Sequence, residues 1–165
     1  KKILLLDADV RRGYLHKYFN QDYQPGLSEY LNQISPLEQC IKATDVDNLH
    51  IMTRGKSPAN PSEMLSSERF REMLDLLSQQ YDHIIIDTPP VLAVTDSIII
   101  AQYSGVNLVV ARYAKTQIKE LELTISRFDQ AGVKVNGFIL NDIQRTSGSS
   151  YGYNYAYAYT ANKDD

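Results

Sequence analysis

The chain has a single cysteine, Cys40, among 165 residues. That excludes an intrachain disulfide and a thiolate metal cluster, and it fits a reducing compartment. No apolar run approaches the roughly 18 residues a membrane span needs, and no signal-peptide pattern opens the chain. An excess of positive charge is missing as well. Lys and Arg number 17 against 20 Asp and Glu, a net charge of −3 that supports no nucleic-acid or polyanion surface. His16, His50 and His83 are scattered without ligand spacing and offer no metal site. A phosphate-cradling G-x-x-x-x-G-K-[ST] loop is also absent. Gly55-Lys56-Ser57 imitates its end, but His50 occupies the first glycine position and Pro58 blocks the helix that should follow.

What remains is a chain with 43% apolar and 22% charged residues, the composition of one soluble globular domain. Apolar runs predict strands near 3–7, 49–53, 83–87, 106–112 and 134–140. Helices are expected near 13–19, 27–33, 62–80, 95–103 and 117–131. Phe70, Met73, Leu74 and Leu77 share one helical face, and Ser62 with Glu63 after Pro61 supplies a start. Ile118, Leu121, Ile125 and Phe128 form a second stripe, ended by Gly132. Thr95 is placed to cap the helix before Ser97. Strands alternating with helices predict an α/β fold, a mostly parallel sheet with helices on both faces and right-handed crossovers. Lys1-Lys2 leads straight into a core-type strand, so the expectation is a chain whose upstream part is missing.

Two segments carry chemistry. Ile3-Leu4-Leu5-Leu6-Asp7-Ala8-Asp9-Val10-Arg11 is an apolar run that ends in two acids and then a base. Continuous apolarity marks a strand covered on both faces, and its carboxyl end is where open α/β sheets bind ligands. Asp7 and Asp9 share the strand's period of two, so both carboxylates can face one crevice. Anions that close repel unless a proton or a hard cation such as Mg²⁺ intervenes. The alternative is a strand end followed by an acidic turn. Tyr81-Asp82-His83-Ile84-Ile85-Ile86-Asp87-Thr88-Pro89-Pro90 repeats the design, with the two prolines stopping the strand. An apolar strand with a terminal Asp is the Walker B pattern, whose acid holds Mg²⁺ directly or through water. The two segments together are far more specific than either alone.

Composition changes after Ile143. From Ser147 to Ala161 small residues separate tyrosines, and Tyr151, Tyr153, Tyr155, Tyr157 and Tyr159 recur at every second position. We read a compact domain over 1–145 and a flexible tyrosine-rich tail over 146–165. The tyrosines fit an edge strand with one aromatic face, a self-associating low-complexity tract, or a set of interchangeable phenol acceptors on a leash. A nucleotide-type site in the same chain favours the acceptors.

Taken together, these segments resemble the cytoplasmic kinase domain of bacterial tyrosine kinases (BY-kinases), polysaccharide co-polymerases that control capsule and exopolysaccharide export. Leu4–Arg11 resembles that family's Walker A′ motif and Ile84–Pro90 its Walker B. Pro58–Leu65 resembles the segment leading into a family helix, and Tyr151–Tyr159 the terminal tyrosine cluster. Walker-type motifs also occur in partitioning and septum-placement ATPases; the tail tips the choice toward the kinases.

The resemblance implies a P-loop NTPase-like fold, ATP/ADP and Mg²⁺ as cofactors, and tyrosine autophosphorylation between neighbours in a ring-like homo-oligomer. It implies Asp7 as the base for the acceptor phenol, with Asp9 and Asp87 positioning Mg²⁺. Asn141 would contact adenine and Arg11 phosphate, although a strand-ending turn and a charge-balancing surface arginine are the plain alternatives. Tyr14 matches an internal phosphorylation position, with Arg54 as a phosphate partner, or else simply packs on a short helix. Implied partners are a low-molecular-weight tyrosine phosphatase and the polysaccharide export machinery, with no nucleic acid. The implied location is the cytoplasmic side of an inner-membrane protein anchored outside this chain. In the family the P-loop lies upstream of the Walker A′ strand, before residue 1, so these 165 residues alone are expected to bind ATP poorly. The competing functions are a switch ATPase in which Asp7 orients water, and a regulatory module modified by another kinase.

Overall fold

A computed structural model describes residues 1–143. The first strand, β1 (Ile3–Asp7), is followed by the short helices α1 (Leu15–Tyr18), α2 (Leu27–Leu31) and α3 (Leu37–Cys40). Next come β2 (Ile41–Ala43), β3 (Leu49–Met52), α4 (Pro61–Leu65), α5 (Glu68–Ser78) and β4 (His83–Asp87). The chain continues through α6 (Asp96–Ala101), β5 (Leu108–Arg112), α7 (Ile118–Gln130) and β6 (Gly137–Asn141). The strands form a four-stranded sheet in the order β2-β3-β1-β4 and a two-stranded sheet of β5 and β6. All pairings are parallel except β2 with β3. The mostly parallel α/β class read from the sequence is the observed one.

The apolar run of β1 explains its central place. Leu4 and Leu6 are fully buried and join Ala8, Val10, Met52, Leu65, Phe70, Met73 and Leu77 in the main core. Phe70, Met73, Leu74 and Leu77 all point inward from α5, as their spacing predicts. The opposite face is covered less completely: in the register Leu5↔Ile85, Ile85 remains 54% exposed. A second, smaller core gathers Ala101, Phe128 and Val133 with Val109 beneath the two-stranded sheet. Helix α6 contributes to both cores, through Ile100 and Ala101 respectively.

Several elements differ from expectation for identifiable reasons. The helix read over 62–80 is two helices. The Ser67 hydroxyl donates to the Met64 carbonyl and accepts from Phe70 N at 3.3 Å, which ends α4 and caps α5 in one step. Strand β2 and helix α3 were not foreseen, because three or four residues carry too little periodicity to read. Strands β5 and β6 begin later than expected. Asn107 and Asn136 bond across their entrances (Asn136 N to Asn107 O, 2.8 Å; Asn107 N to Asn136 Oδ1, 2.8 Å) before the ladder starts. Thr95 precedes α6 but makes no side-chain capping bond. Ile118 is exposed, so the inward stripe of α7 rests on Thr124 and Phe128. Gly132 ends α7 with φ of +68°, a conformation that glycine adopts without strain.

Candidate active site at the carboxyl ends of β1 and β4

Parallel pairing aligns Asp7 with Asp87 in register, side by side at the strand ends. The Ala8 amide donates to the Asp87 carbonyl at 2.8 Å, which carries the pairing one residue beyond β1. Asp7 is fully buried. Its Oδ2 accepts the Leu15 amide at 3.2 Å, while Oδ1 is buried without a hydrogen-bond partner among the described residues. Burial pushes the Asp7 carboxyl up to about 6; the Leu15 N–H opposes the shift, and the charges of Asp87 and Asp9 add to it. Asp87 is exposed, yet it too is held above the usual carboxylate range, by desolvation and then by the charge of Asp9. The three acids that the sequence singled out therefore share one electrostatic field.

Asp9 lies in the turn after β1. Its Oδ1 accepts the amides of Arg11 (3.2 Å) and Arg12 (2.9 Å), leaving Oδ2 free for a ligand. Among the described residues no three acidic, His or Cys side chains converge as a ready-made metal cage. Mg²⁺ keeps several waters and takes one or two carboxylates together with substrate phosphates. The mutual repulsion of the acids and the unpartnered Asp7 Oδ1 are what such a cation would relieve. The residues present fit the ion, and Asp9 and Asp87 are the carboxylates that would offer it hard oxygens.

Arg11 faces a partner that sequence reading missed. Its Nε donates to Asp96 Oδ2 at 2.7 Å and Nη2 to Oδ1 at 3.3 Å, and the Ser62 hydroxyl donates to Oδ1 at 2.7 Å. Asp96 is fully buried at the start of α6. Burial works against its charge, but the bonds from Arg11 and Ser62 hold its carboxyl below the usual range. The junction ties the turn after β1 to α4 and α6. The one available signal was an acid in the first turn of a helix, a weak one. Two nitrogens of Arg11 are thus engaged with Asp96 through one N–H each, and both hydrogens of Nη1 and one of Nη2 point elsewhere.

The loop after β4 is anchored from two helices. The Ser97 hydroxyl donates to the Pro89 carbonyl, and Arg127 Nη1 to Val91 O at 2.7 Å. Asn141 ends β6, with its Oδ1 accepting the Asp142 amide at 2.8 Å. Tyr14 is 58% exposed, its ring stacked near His16 with Lys17 Nζ 4.6 Å from the centroid. Arg54 lies over the Tyr23 ring and donates to Gly13 O at 3.1 Å and Gly55 O at 2.8 Å. The Gly55-Lys56-Ser57 loop leads to no helix until Pro61. Tyr151, Tyr153, Tyr155, Tyr157 and Tyr159, and the expected division at residue 145, lie outside the described residues.

A family model described as an AAA domain matches residues 1–137. The tyrosine-protein kinase ptk of Acinetobacter johnsonii is 69% identical over 147 residues, 89% of this chain and 20% of the relative. The chain thus spans about a fifth of the length of the curated relatives it matches. The solved kinase domain of Escherichia coli tyrosine kinase ETK superposes with a TM-score of 0.86 at 40% identity, over 92% of this chain and 59% of that one. The VpsO kinase domain superposes with a TM-score of 0.82 at 36% identity, over 87% of this chain and 71% of that one.

Proposed function

The chain belongs to the AAA-domain family and, within it, to the bacterial tyrosine-protein kinases, and from that premise we propose that the full-length protein carrying it phosphorylates its own tyrosines with ATP. The acceptors are Tyr151, Tyr153, Tyr155, Tyr157 and Tyr159, presented to a neighbouring copy in a ring-like homo-oligomer. A tyrosine hydroxyl near pKa 10 is a poor nucleophile at neutral pH. Asp7 takes its proton as the phenol oxygen bonds to the γ-phosphorus and the bond to the β,γ-bridging oxygen breaks, leaving ADP. A carboxylate that titrates near 6 is ionised above neutrality yet binds a proton more strongly than an ordinary aspartate. Asp9 and Asp87 would hold Mg²⁺, which when bound would supply charge neutralisation at the phosphates.

The observation that carries this reading is the buried, proton-avid Asp7 set in register beside Asp87. Asn141 is assigned to adenine, and Arg11 to a phosphate contact. Tyr14, exposed and next in the chain to Gly13, whose carbonyl accepts Arg54 Nε, is a further acceptor. The phosphate cradle is assigned to sequence outside these residues. Supporting that assignment, β4 and β5 each have an edge without a strand partner among the described residues, and Ile85 and Val110 are exposed on a sheet face. The family premise extends the role to capsule or exopolysaccharide export, reversed by a low-molecular-weight tyrosine phosphatase, with no nucleic-acid partner. No helix among the described residues is long and apolar enough to cross a membrane. The family premise assigns the inner-membrane anchor to sequence outside the described residues, with this domain on the cytoplasmic side.

Phosphosite mapping by mass spectrometry tests the reading, on the full-length protein incubated with Mg²⁺ and ATP. Phosphate on several tail tyrosines, reduced about 10²- to 10⁴-fold in rate by Asp7→Asn, is the expected result. Free phosphate with an unmodified tail would instead indicate a switch ATPase. A tail modified in cells but unaffected by Asp7→Asn would indicate a regulatory module.

A further inference from the structure

Gly13 has no positive φ and ends no helix, yet the backbone there admits no side chain. A Cβ at this position would stand 2.1 Å from Asp7 Oδ1, 2.4 Å from Oδ2 and 2.5 Å from Cγ. No real carbon approaches that closely, and the nearest atoms all belong to the Asp7 carboxylate. That carboxylate cannot swing aside freely, because it is fully buried and its Oδ2 already accepts the Leu15 amide. Nor can residue 13 easily retreat. The Gly13 amide donates to Asp9 O at 2.7 Å, and its carbonyl accepts Arg54 Nε at 3.1 Å. Held from both sides, the Gly13 backbone forms a wall against the carboxylate.

We infer that Gly13 is a positioning residue for catalysis: its bare backbone sets where the Asp7 carboxylate stands, and any side chain there displaces the base. The inference rests on the kinase reading for its effect on rate, but the steric coupling stands independently of it. Gly13 touches neither nucleotide nor acceptor and acts only through Asp7. Misplacement by about an ångström is enough to cost on the order of a hundredfold in rate.

The test uses the full-length protein and four forms: wild type, Gly13→Ala, Asp7→Ala, and the double variant. Gly13→Ala is expected to lower kcat for tail tyrosine phosphorylation about a hundredfold. The KM for ATP should stay near the wild-type value, because Asp9 and Asp87 are untouched. Urea unfolding supplies the second readout. Gly13→Ala lowers the midpoint when Asp7 is present and leaves it unchanged in the Asp7→Ala background, where the carboxylate has been removed. Should Gly13→Ala fail to fold, a folded double variant supports the inference and an unfolded one overturns it. A Gly13→Ala enzyme with near-normal kcat overturns it, as does an equal midpoint loss in both backgrounds. A wild type that makes no phosphotyrosine sinks the kinase reading alone, and the urea arm still decides the role of Gly13.

Discussion

The two sheets share one construction principle and differ in what covers them. In the four-stranded sheet, β1 has partners on both sides, and Leu4 and Leu6 are sealed beneath α5 and its neighbours. In the two-stranded sheet, Val110 is 62% and Phe138 51% exposed, and the core is little more than Ala101, Phe128 and Val133. The acids sit in the covered half, which is a physical requirement rather than a coincidence. Desolvation is the largest influence on Asp7, and a bare sheet cannot supply it. The exposed half ends in Asn141, whose amide needs no desolvation to hydrogen-bond a ligand.

The sharpest way to break this comparison is to truncate one phenylalanine in each half of the 165-residue chain. Phe70 is fully buried, so Phe70→Ala should cost about 3–5 kcal/mol. Phe138→Ala should cost well under about 1 kcal/mol, as surface changes do. Urea unfolding measures both, and equal losses would show that the two-stranded sheet is packed as well as its partner.

A slightly smaller effect separates the halves by pH. Because Asp7 binds its proton more tightly folded than unfolded, its contribution to stability is present below about pH 4. It is lost as the pH rises through 6. At pH 8, without Mg²⁺ or nucleotide, Asp7→Asn should therefore stabilise the chain, by up to about 3 kcal/mol. The gain should vanish near pH 3. A gain that is independent of pH would mean that the acid is not desolvated. Activity and stability then move in opposite directions at one residue, as expected where a site stores strain for function.

How much of this was legible beforehand depends on period and range. Strands β1 and β4 and the inward face of α5 followed from local apolar pattern, and with them the positions of Asp7 and Asp87 at strand ends; that the two strands are neighbours did not. The antiparallel β2 did not, because its pairing is set by β3 rather than by its own three residues. The break between α4 and α5 was written in Ser66-Ser67, but the apolar stripe that follows, with Pro61-Ser62-Glu63 as a plausible start before it, masked it. At the site, the acids were readable because anions at apolar strand ends are conspicuous. Asp96 was not, since its meaning comes from Arg11, 85 residues away in sequence. Gly13 was invisible for the same reason: its constraint is a distance to Asp7, and spacing along the chain carries no trace of it.

Each half also holds an arginine–carboxylate pair that joins separate elements, Arg11–Asp96 in one and Arg112–Asp142 in the other, and these set the smallest contrast. Arg11–Asp96 joins a half-exposed guanidinium to a buried carboxylate that also takes Ser62. Arg112–Asp142, at 2.7 Å, is open to solvent on both sides. Removing Arg11 leaves a buried acceptor short of its donors, so Arg11→Ala should cost about 1–3 kcal/mol. Because Asp96 titrates below its ordinary value in the fold, its stabilisation is present at neutral pH and lost on acidification. The Arg11→Ala loss should therefore shrink toward pH 3. Arg112→Ala should cost at most about 1 kcal/mol, and that cost should fade in high salt. Thermal unfolding at two pH values and two salt concentrations separates the pairs. If Arg112 proved the costlier residue, the exposed half would be held by charge where it lacks a core, and the division between the sheets would have to be redrawn.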